Sequence, residues 1–338
     1  MTAKRAAVVG NGNVAVDVAR ILAAPVEELA KTDIADYALG ALRVSPLEKI
    51  YMLGRRGPAQ AAFTNPELKE LGKIKVTDII VAPEELELDP YSQAALATDK
   101  EAAKNVETLR QFAARGPQGQ PHQLILRFLV SPVEITGENG HVAALKLERN
   151  ELRPTESGTL QAHGTGVYEI LPVDIVFRAV GYKGAPIPGV PYDARTGTIP
   201  NRNGRVVDPA TGNPISGEYV VGWAKRGPTG VIGTNKPDSI ETARALLEDV
   251  ANLQPVDAAN AKPEAFESFI KSRQPNVVTY KEWQLLDQLE QQKGAPHGRP
   301  RVKFNRVEEM LKALGKTNRA PDHGARGETE EPKSKSMS

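Results

Sequence analysis

Apolar positions along this chain switch repeatedly between continuous short runs and helical spacing, and the switches locate its elements. Ala6 to Val9 is an apolar run the length of one buried parallel strand. Val14, Val18, Ile21 and Leu22 then recur at helical spacing, which predicts a helix from Asn13 to Ala24, stopped by Pro25. A second helical pattern covers Ile34, Tyr37, Ala38, Ala41 and Leu42, and Lys49 to Leu53 reads as a second parallel strand. Asn65 and Pro66 suit the cap and first position of another helix. Strands are expected over 76–81, 123–130, 168–171 and 174–180, a helix over 100–115, and a hairpin turning at Gly137-Glu138-Asn139-Gly140. Gly181-Tyr182-Lys183-Gly184 breaks this pattern, and a first domain is expected to end there, at residue 184. Short strands are expected at 198–200 and 204–207, and a stronger one at Tyr219 to Trp223. A helix starting at Asp238 carries Ile240, Ala243, Leu246, Leu247 and Val250, and helical patterns return at 264–271, 279–292 and 307–314. A second domain is therefore assigned to 185–315. Residues 316–338 hold no Val, Ile, Leu, Phe, Tyr or Trp and are expected to form a disordered tail.

The first strand–helix pair encloses Gly10-x-Gly12-x-x-Ala15, the form of a dinucleotide-binding turn. Gly10 permits the turn, Gly12 lets backbone approach a pyrophosphate, and Ala15 keeps the helix close to the strand. The free N–H groups at the helix start favour the phosphate charge. Directly after the second strand stand Arg55 and Arg56, where an acid would accept a hydrogen bond from the 2′-hydroxyl of NAD. A guanidinium there can grip a phosphate with two hydrogen bonds, which points to NADP; the bland alternative is a solvated basic turn. Glu67 and Glu70 sit where a carboxylate favours a helix start, and contact with the nicotinamide end is their sharper reading. Gly227, Gly230 and Gly233 make a close-approach loop ahead of the later helix, either a second cofactor contact or a structural loop.

Composition narrows the chemistry. The 43 basic and 42 acidic residues nearly cancel, so no global charge argues for nucleic acid. No apolar run has the length of a membrane span, no signal-peptide core precedes the first strand, and a cytoplasmic location is expected. Cysteine is absent, which excludes disulfides, a thiol nucleophile and a thiolate-held iron–sulfur cluster in this chain. Five scattered histidines have no zinc-ligand spacing, so no metal site is expected, and no catalytic side chain is visible.

Three blocks together resemble the adrenodoxin-reductase-like ferredoxin–NADP reductases, which use FAD. They are Gly10 to Arg20, Gly54-Arg55-Arg56-Gly57-Pro58 with Phe63-Thr64 and Glu67-Leu68, and Gly222 to Asn235. The resemblance spans about residues 4 to 315. It implies an α/β fold: a Rossmann-like NADP-binding domain with a parallel sheet, followed by the C-terminal part of the FAD domain of a two-dinucleotide-binding-domain flavoprotein. It implies NADP contacts at Asn13, Val14, Ala15, Val16, Arg55, Arg56, Glu67 and Gly230, and FAD contacts at Trp223, Gly230, Val231 and Ile232. The implied activity is hydride transfer between NADPH and FAD, with single electrons passed to a ferredoxin-like iron–sulfur protein. Lys69 and Lys73 could meet an acidic ferredoxin or simply be solvated.

The departure from the family is at the start. Such proteins begin with a flavin-binding βαβ unit, and the expectation is that this unit is missing and that the chain is a truncated or split reductase that binds FAD weakly alone. The alternatives are an NADP-binding module, or a remnant inactive unless a separate chain supplies the FAD-binding half. A glutamate-synthase-related electron-feeding subunit is a third reading, against which the lack of a cysteine-rich segment argues.

Overall fold

The computed structural model describes residues 2–156, 158–230 and 232–316. Val231 and the expected tail from residue 317 lie outside the described residues. The chain divides into two compact units, one of residues 1–29 and 37–253, the other of residues 30–36 together with the chain from Gln254 on.

In the first unit the strands are β1 (Arg5–Val9), β2 (Lys49–Leu53), β3 (Thr77–Val81), β4 (His122–Arg127), β5 (Val130–Glu138), β6 (His141–Pro154), β7 (Leu160–Pro172), β8 (Ile175–Arg178), β9 (Asn201–Arg202), β10 (Arg205–Val207) and β11 (Pro214–Tyr219). Its helices are α1 (Asn13–Ala23), α2 (Val26–Leu29), α3 (Asp36–Arg43), α4 (Asn65–Leu71), α5 (Pro90–Ala95), α6 (Lys100–Arg115), α7 (Trp223–Arg226) and α8 (Asn235–Asp249). Among the described residues the strands form three sheets: a parallel one ordered β3-β4-β2-β1-β8, and antiparallel ones ordered β5-β6-β7 and β11-β10-β9. From β1 the chain first builds towards β2 and later returns to the other side of β1 with β8. The order therefore reverses at the carboxyl end of β1, where ligands of open α/β sheets bind.

The alternation along β1 explains its layers. Ala6 and Val8 face one way and pack with Ala15, Val16 and Ala19 of α1, Leu68 and Leu71 of α4, and Leu109 and Phe112 of α6. Ala7 faces the other way and packs with Leu145, Leu147, Leu171 and Val173 of the β5–β7 region. Helices thus cover one face of the parallel sheet and an antiparallel sheet covers the other, which is why β1 is apolar at every interior position.

Several elements differ from the sequence expectation. The apolar run 123–130 is not one strand. It breaks at Leu129, which holds φ +52°, so β4 stays in the parallel sheet while β5 starts the antiparallel one. β6 and β7 run far beyond the expected hairpin, because Arg149 to Pro154 carry too few apolar residues to announce a strand. The cap position of α4 is Thr64, not Asn65; the Asn65 side chain instead donates to Thr108 Oγ1 (2.9 Å) and Lys104 O (3.1 Å) on α6. The strand expected at 219–223 ends at Tyr219. Gly222, at φ +69°, turns Trp223 to Arg226 into one helical turn. The strand expected at 198–200 falls instead at 201–202. The later helix begins at Asn235, a turn ahead of Asp238, since Pro237 needs no N–H partner in a first turn.

The second unit holds α9 (Pro263–Arg273), α10 (Tyr280–Gly294) and α11 (Val307–Ala313). Thr279 and Glu282 close a reciprocal capping box at the start of α10. Arg299 binds the carbonyls of Thr32 and Ile34 and the Asp36 carboxylate, and Lys303 pairs with Asp33 at 2.7 Å, which ties residues 30–36 into this unit.

Candidate functional site

The glycine turn lies where the sheet order reverses. Gly10 has φ +137°, and a Cβ there would stand 2.2 Å from the Ala179 carbonyl oxygen just past β8, so only glycine closes this turn. At Gly12 a Cβ would meet nothing nearer than Ala62 Cβ at 3.9 Å; the protein leaves that side open to a close-approaching ligand. Gly12 is also the cap position of α1, with no side-chain hydrogen bond and no acidic residue in the first turn. The positive end of α1 is therefore uncovered by the protein's own groups. Asn11 adds a buried Nδ2 without a hydrogen-bond partner, a further spare donor at the turn.

Each predicted residue of this turn has a distinct position. The Asn13 side chain is occupied, accepting from Thr64 N at 2.8 Å. Val14 is 45% exposed, while Ala15 and Val16 have fully buried side chains. The Val16 N–H already donates to Gly12 O at 3.1 Å, so Val16 contributes packing.

The arginine turn is stitched to the glycine turn. The Asn11 carbonyl accepts from the N–H groups of Ala62 (2.9 Å) and Phe63 (3.0 Å), and Gly10 N donates to Leu53 O (2.8 Å). Arg55 is exposed and Arg56 half-buried. Among the described residues neither guanidinium has an acidic partner within ion-pair distance. Burial, and then the Arg55 charge, pull Arg56 below the ordinary guanidinium range. Two adjacent cations without a counter-ion among the described residues, beside an uncapped helix start, could hold a polyanion, and their chemistry fits a dinucleotide carrying an additional phosphate.

Glu67, in the first turn of α4, lies 4.0 Å from Arg20 of α1, which is itself bound to Asp17 at 2.9 Å. Glu70 turns instead to Lys73 at 2.5 Å, whose ammonium hydrogen bond holds its carboxyl below the ordinary range. Lys73 is thereby neutralised locally, and Lys69 is exposed.

The second predicted cluster lies after β11. Trp223 is 53% exposed and stacks on Tyr182, with ring centroids 6.5 Å apart and planes inclined by 22°. Gly230 has φ +84°, and a Cβ there would meet Thr234 Oγ1 at 2.5 Å. Ile232 is 91% exposed. Trp223 and Ile232 offer apolar surface of the kind that covers an aromatic ring system, and so fit the edge of a flavin.

Lys225 and Arg226 share one carboxylate, while Arg226 Nε and Nη1 are buried without a hydrogen-bond partner. Asp238 accepts from Gly222 N at 2.5 Å and pairs with Lys225 (3.2 Å) and Arg226 (3.3 Å). Lys225 also binds Glu241 at 2.5 Å. The side chains of Lys225 and Asp238 are only 8% and 7% exposed. Burial pushes the Asp238 carboxyl up, but the Gly222 N–H, Lys225 and Arg226 together hold it below its usual range. Burial pulls Lys225 down, and its bonds to Glu241 and Asp238 more than restore it.

Sequence reading missed Asn150, whose buried amide donates to Arg55 O (2.9 Å) and to Ser131 Oγ (2.8 Å). One signal was present: asparagine is disfavoured in a strand interior, and this one stands inside β6.

No protein-family model matches the chain. It is 44% identical over 313 residues to the NADPH-ferredoxin reductase FprA of Mycobacterium leprae, covering 92% of this chain and 67% of the relative. It is 36% identical over 322 residues to the mitochondrial NADPH:adrenodoxin oxidoreductase of Arabidopsis thaliana, covering 92% of this chain and 66% of that protein. Among solved structures it superposes on Mycobacterium tuberculosis FprA in complex with NADPH with a TM-score of 0.84 at 44% identity, over 93% of this chain and 68% of the other.

Proposed function

The chain belongs to the family of NADPH-dependent ferredoxin and adrenodoxin reductases, and from that premise we propose how its residues divide the work. It is an NADPH-linked flavoprotein oxidoreductase with NADP and FAD as cofactors and an iron–sulfur protein as electron partner. The observation that carries the residue assignment is the unpaired Arg55–Arg56 turn stitched to the uncapped glycine turn.

Gly10, Gly12, Asn13, Val14, Ala15 and Val16 form the pyrophosphate turn. The N–H groups at the start of α1 supply hydrogen bonds, and the buried side chains of Ala15 and Val16 hold the helix against β1. Arg55 and Arg56 grip the 2′-phosphate. Glu67 faces the nicotinamide end from α4, held near Arg20. Trp223, Gly230 and Ile232 line one side of the flavin. A flavin held against these residues would supply hydride acceptance from the reduced nicotinamide and single-electron release to the iron–sulfur partner. The protein's share is alignment and exclusion of water, and no side chain need act as nucleophile.

The domain crossing near Gly184 is part of this proposal, supported by the end of β8 at Arg178 and the turn at Gly181, φ +98°. A cytoplasmic location belongs to it too. Among the described residues no helix is long and apolar enough to cross a membrane. The exposure of Trp223 and Ile232 favours a second reading, in which a separate chain completes the flavin site.

The test is NADPH-driven reduction of a ferredoxin by the purified chain supplied with FAD, with NADH as control. Reduction by NADPH well above NADH is the expected result. Electron transfer only on adding a flavin-binding partner supports the second reading, and equal rates with both nucleotides overturn the arginine assignment.

A further inference from the structure

The β5–β7 sheet is not part of a minimal nucleotide fold, yet its polar contacts converge on the arginine turn. The strained residue Leu129, φ +52°, is tied at both ends. Its N–H donates to Arg56 O at 3.2 Å, and its carbonyl accepts from Asn150 N at 2.8 Å. Val130 N donates to Gly54 O at 3.0 Å. The Arg55 carbonyl can only accept, so it is the amide nitrogen of Asn150 that faces it, at 2.9 Å, with the second amide hydrogen on Ser131 Oγ at 2.8 Å. Asn150 is 8% exposed. It follows a register break in β6 and β7, where Glu148 pairs with Tyr168 but Asn150 already pairs with Gly164. Such a break re-aims side chains.

We propose that Asn150 is the positioning residue for recognition of the 2′-phosphate: it clamps the backbone of Arg55, and through Leu129 that of Arg56, so that both guanidinium groups point at one anion. This rests on the coenzyme reading above. Two neighbouring cations repel one another and would splay an unrestrained turn. With the carbonyls of Gly54, Arg55 and Arg56 all engaged, repulsion cannot move the backbone, and the cost of ordering the clamp is met before the coenzyme arrives. A backbone outlier held from both sides is the form such preorganisation takes.

The experiment is calorimetric titration of the full chain, and of its Asn150→Ala and Asn150→Asp variants, with 2′,5′-ADP and 5′-AMP. These probes differ only in the 2′-phosphate. The expected result is a drop of about tenfold in 2′,5′-ADP affinity, with 5′-AMP affinity changed less than twofold. Discrimination kept in both variants overturns the positioning role alone, as does an equal loss of both ligands, which marks a merely structural residue. An unmodified chain that does not discriminate overturns the coenzyme reading itself. Ser131→Ala frees the second amide hydrogen without touching the core. It should lower the ratio of affinities about threefold, and if the Asn150 variants fail to fold, an unchanged ratio here overturns the proposal.

Discussion

α1 and α8 both follow a strand and a glycine-rich loop, yet their charges are arranged in opposite ways. The start of α1 has no acid and no side-chain cap, and the arginines stitched beside it have no counter-ion among the described residues. The start of α8 carries Asp238, and the cations beside it, Lys225 and Arg226, are already paired to that carboxylate. The first site holds positive potential unspent and is open to a polyanion. The second pairs its cations with its own carboxylate, leaving apolar Trp223 and Ile232 outward. One sequence signature can therefore mark either an anion receptor or a self-locked loop that offers a surface to a ring.

The sharpest way to break this contrast is to remove the unpaired charges. Arg55→Ala combined with Arg56→Ala should cost about 4 kcal/mol of NADPH binding, roughly a thousandfold, with little change in melting temperature. Lys225→Ala should do the reverse, lowering the melting temperature and leaving nucleotide affinity alone. Calorimetry and thermal unfolding on the same samples distinguish the two.

A smaller effect is expected at Asp238. Asp238→Ala leaves Lys225 with Glu241 alone, takes the ion-pair partner from Arg226 and unpairs the Gly222 N–H, and should destabilise the chain by about 2 kcal/mol. Unfolding in denaturant measures it, and an unaltered midpoint would mean the pairs are not buried in solution.

The smallest effect is in pH. The folded Asp238 carboxyl is held below its ordinary value of 3.8. Its contribution is therefore complete above that value and is lost as the pH falls through the lower, folded one. The α1 start has no carboxylate to titrate. Acid should consequently loosen the Trp223 loop. In a Trp283→Phe background the Trp223 fluorescence should shift as the pH falls below 3.8, and Asp238→Asn should abolish that shift; a shift that survives the substitution would contradict the contrast.

The glycine turn, both arginines and the strands β1 and β2 could be read from the chain because each rests on local rules: an apolar run, a glycine spacing, a fixed offset. Helix α6 was equally legible from its apolar stripe. The break at Leu129 was not, since nothing in an apolar run announces a positive φ imposed by two distant hydrogen bonds. Nor was Asn65 in its true role. Its type suggested a cap, but the partners that claim its side chain lie on α6, about 40 residues away.

By itself the sequence determined which residue types stand at each turn, and so the chemistry available: glycines for a tight approach, guanidinium groups for a phosphate, no thiol anywhere. Only the tertiary structure decided which charges remain free. Asp238 meets Lys225 across α7 and α8, and Asn150 meets Arg55 between two sheets, over separations of 13 and 95 residues. Pairing depends on distance in space, and a linear pattern carries that distance only within a helical turn or along a strand.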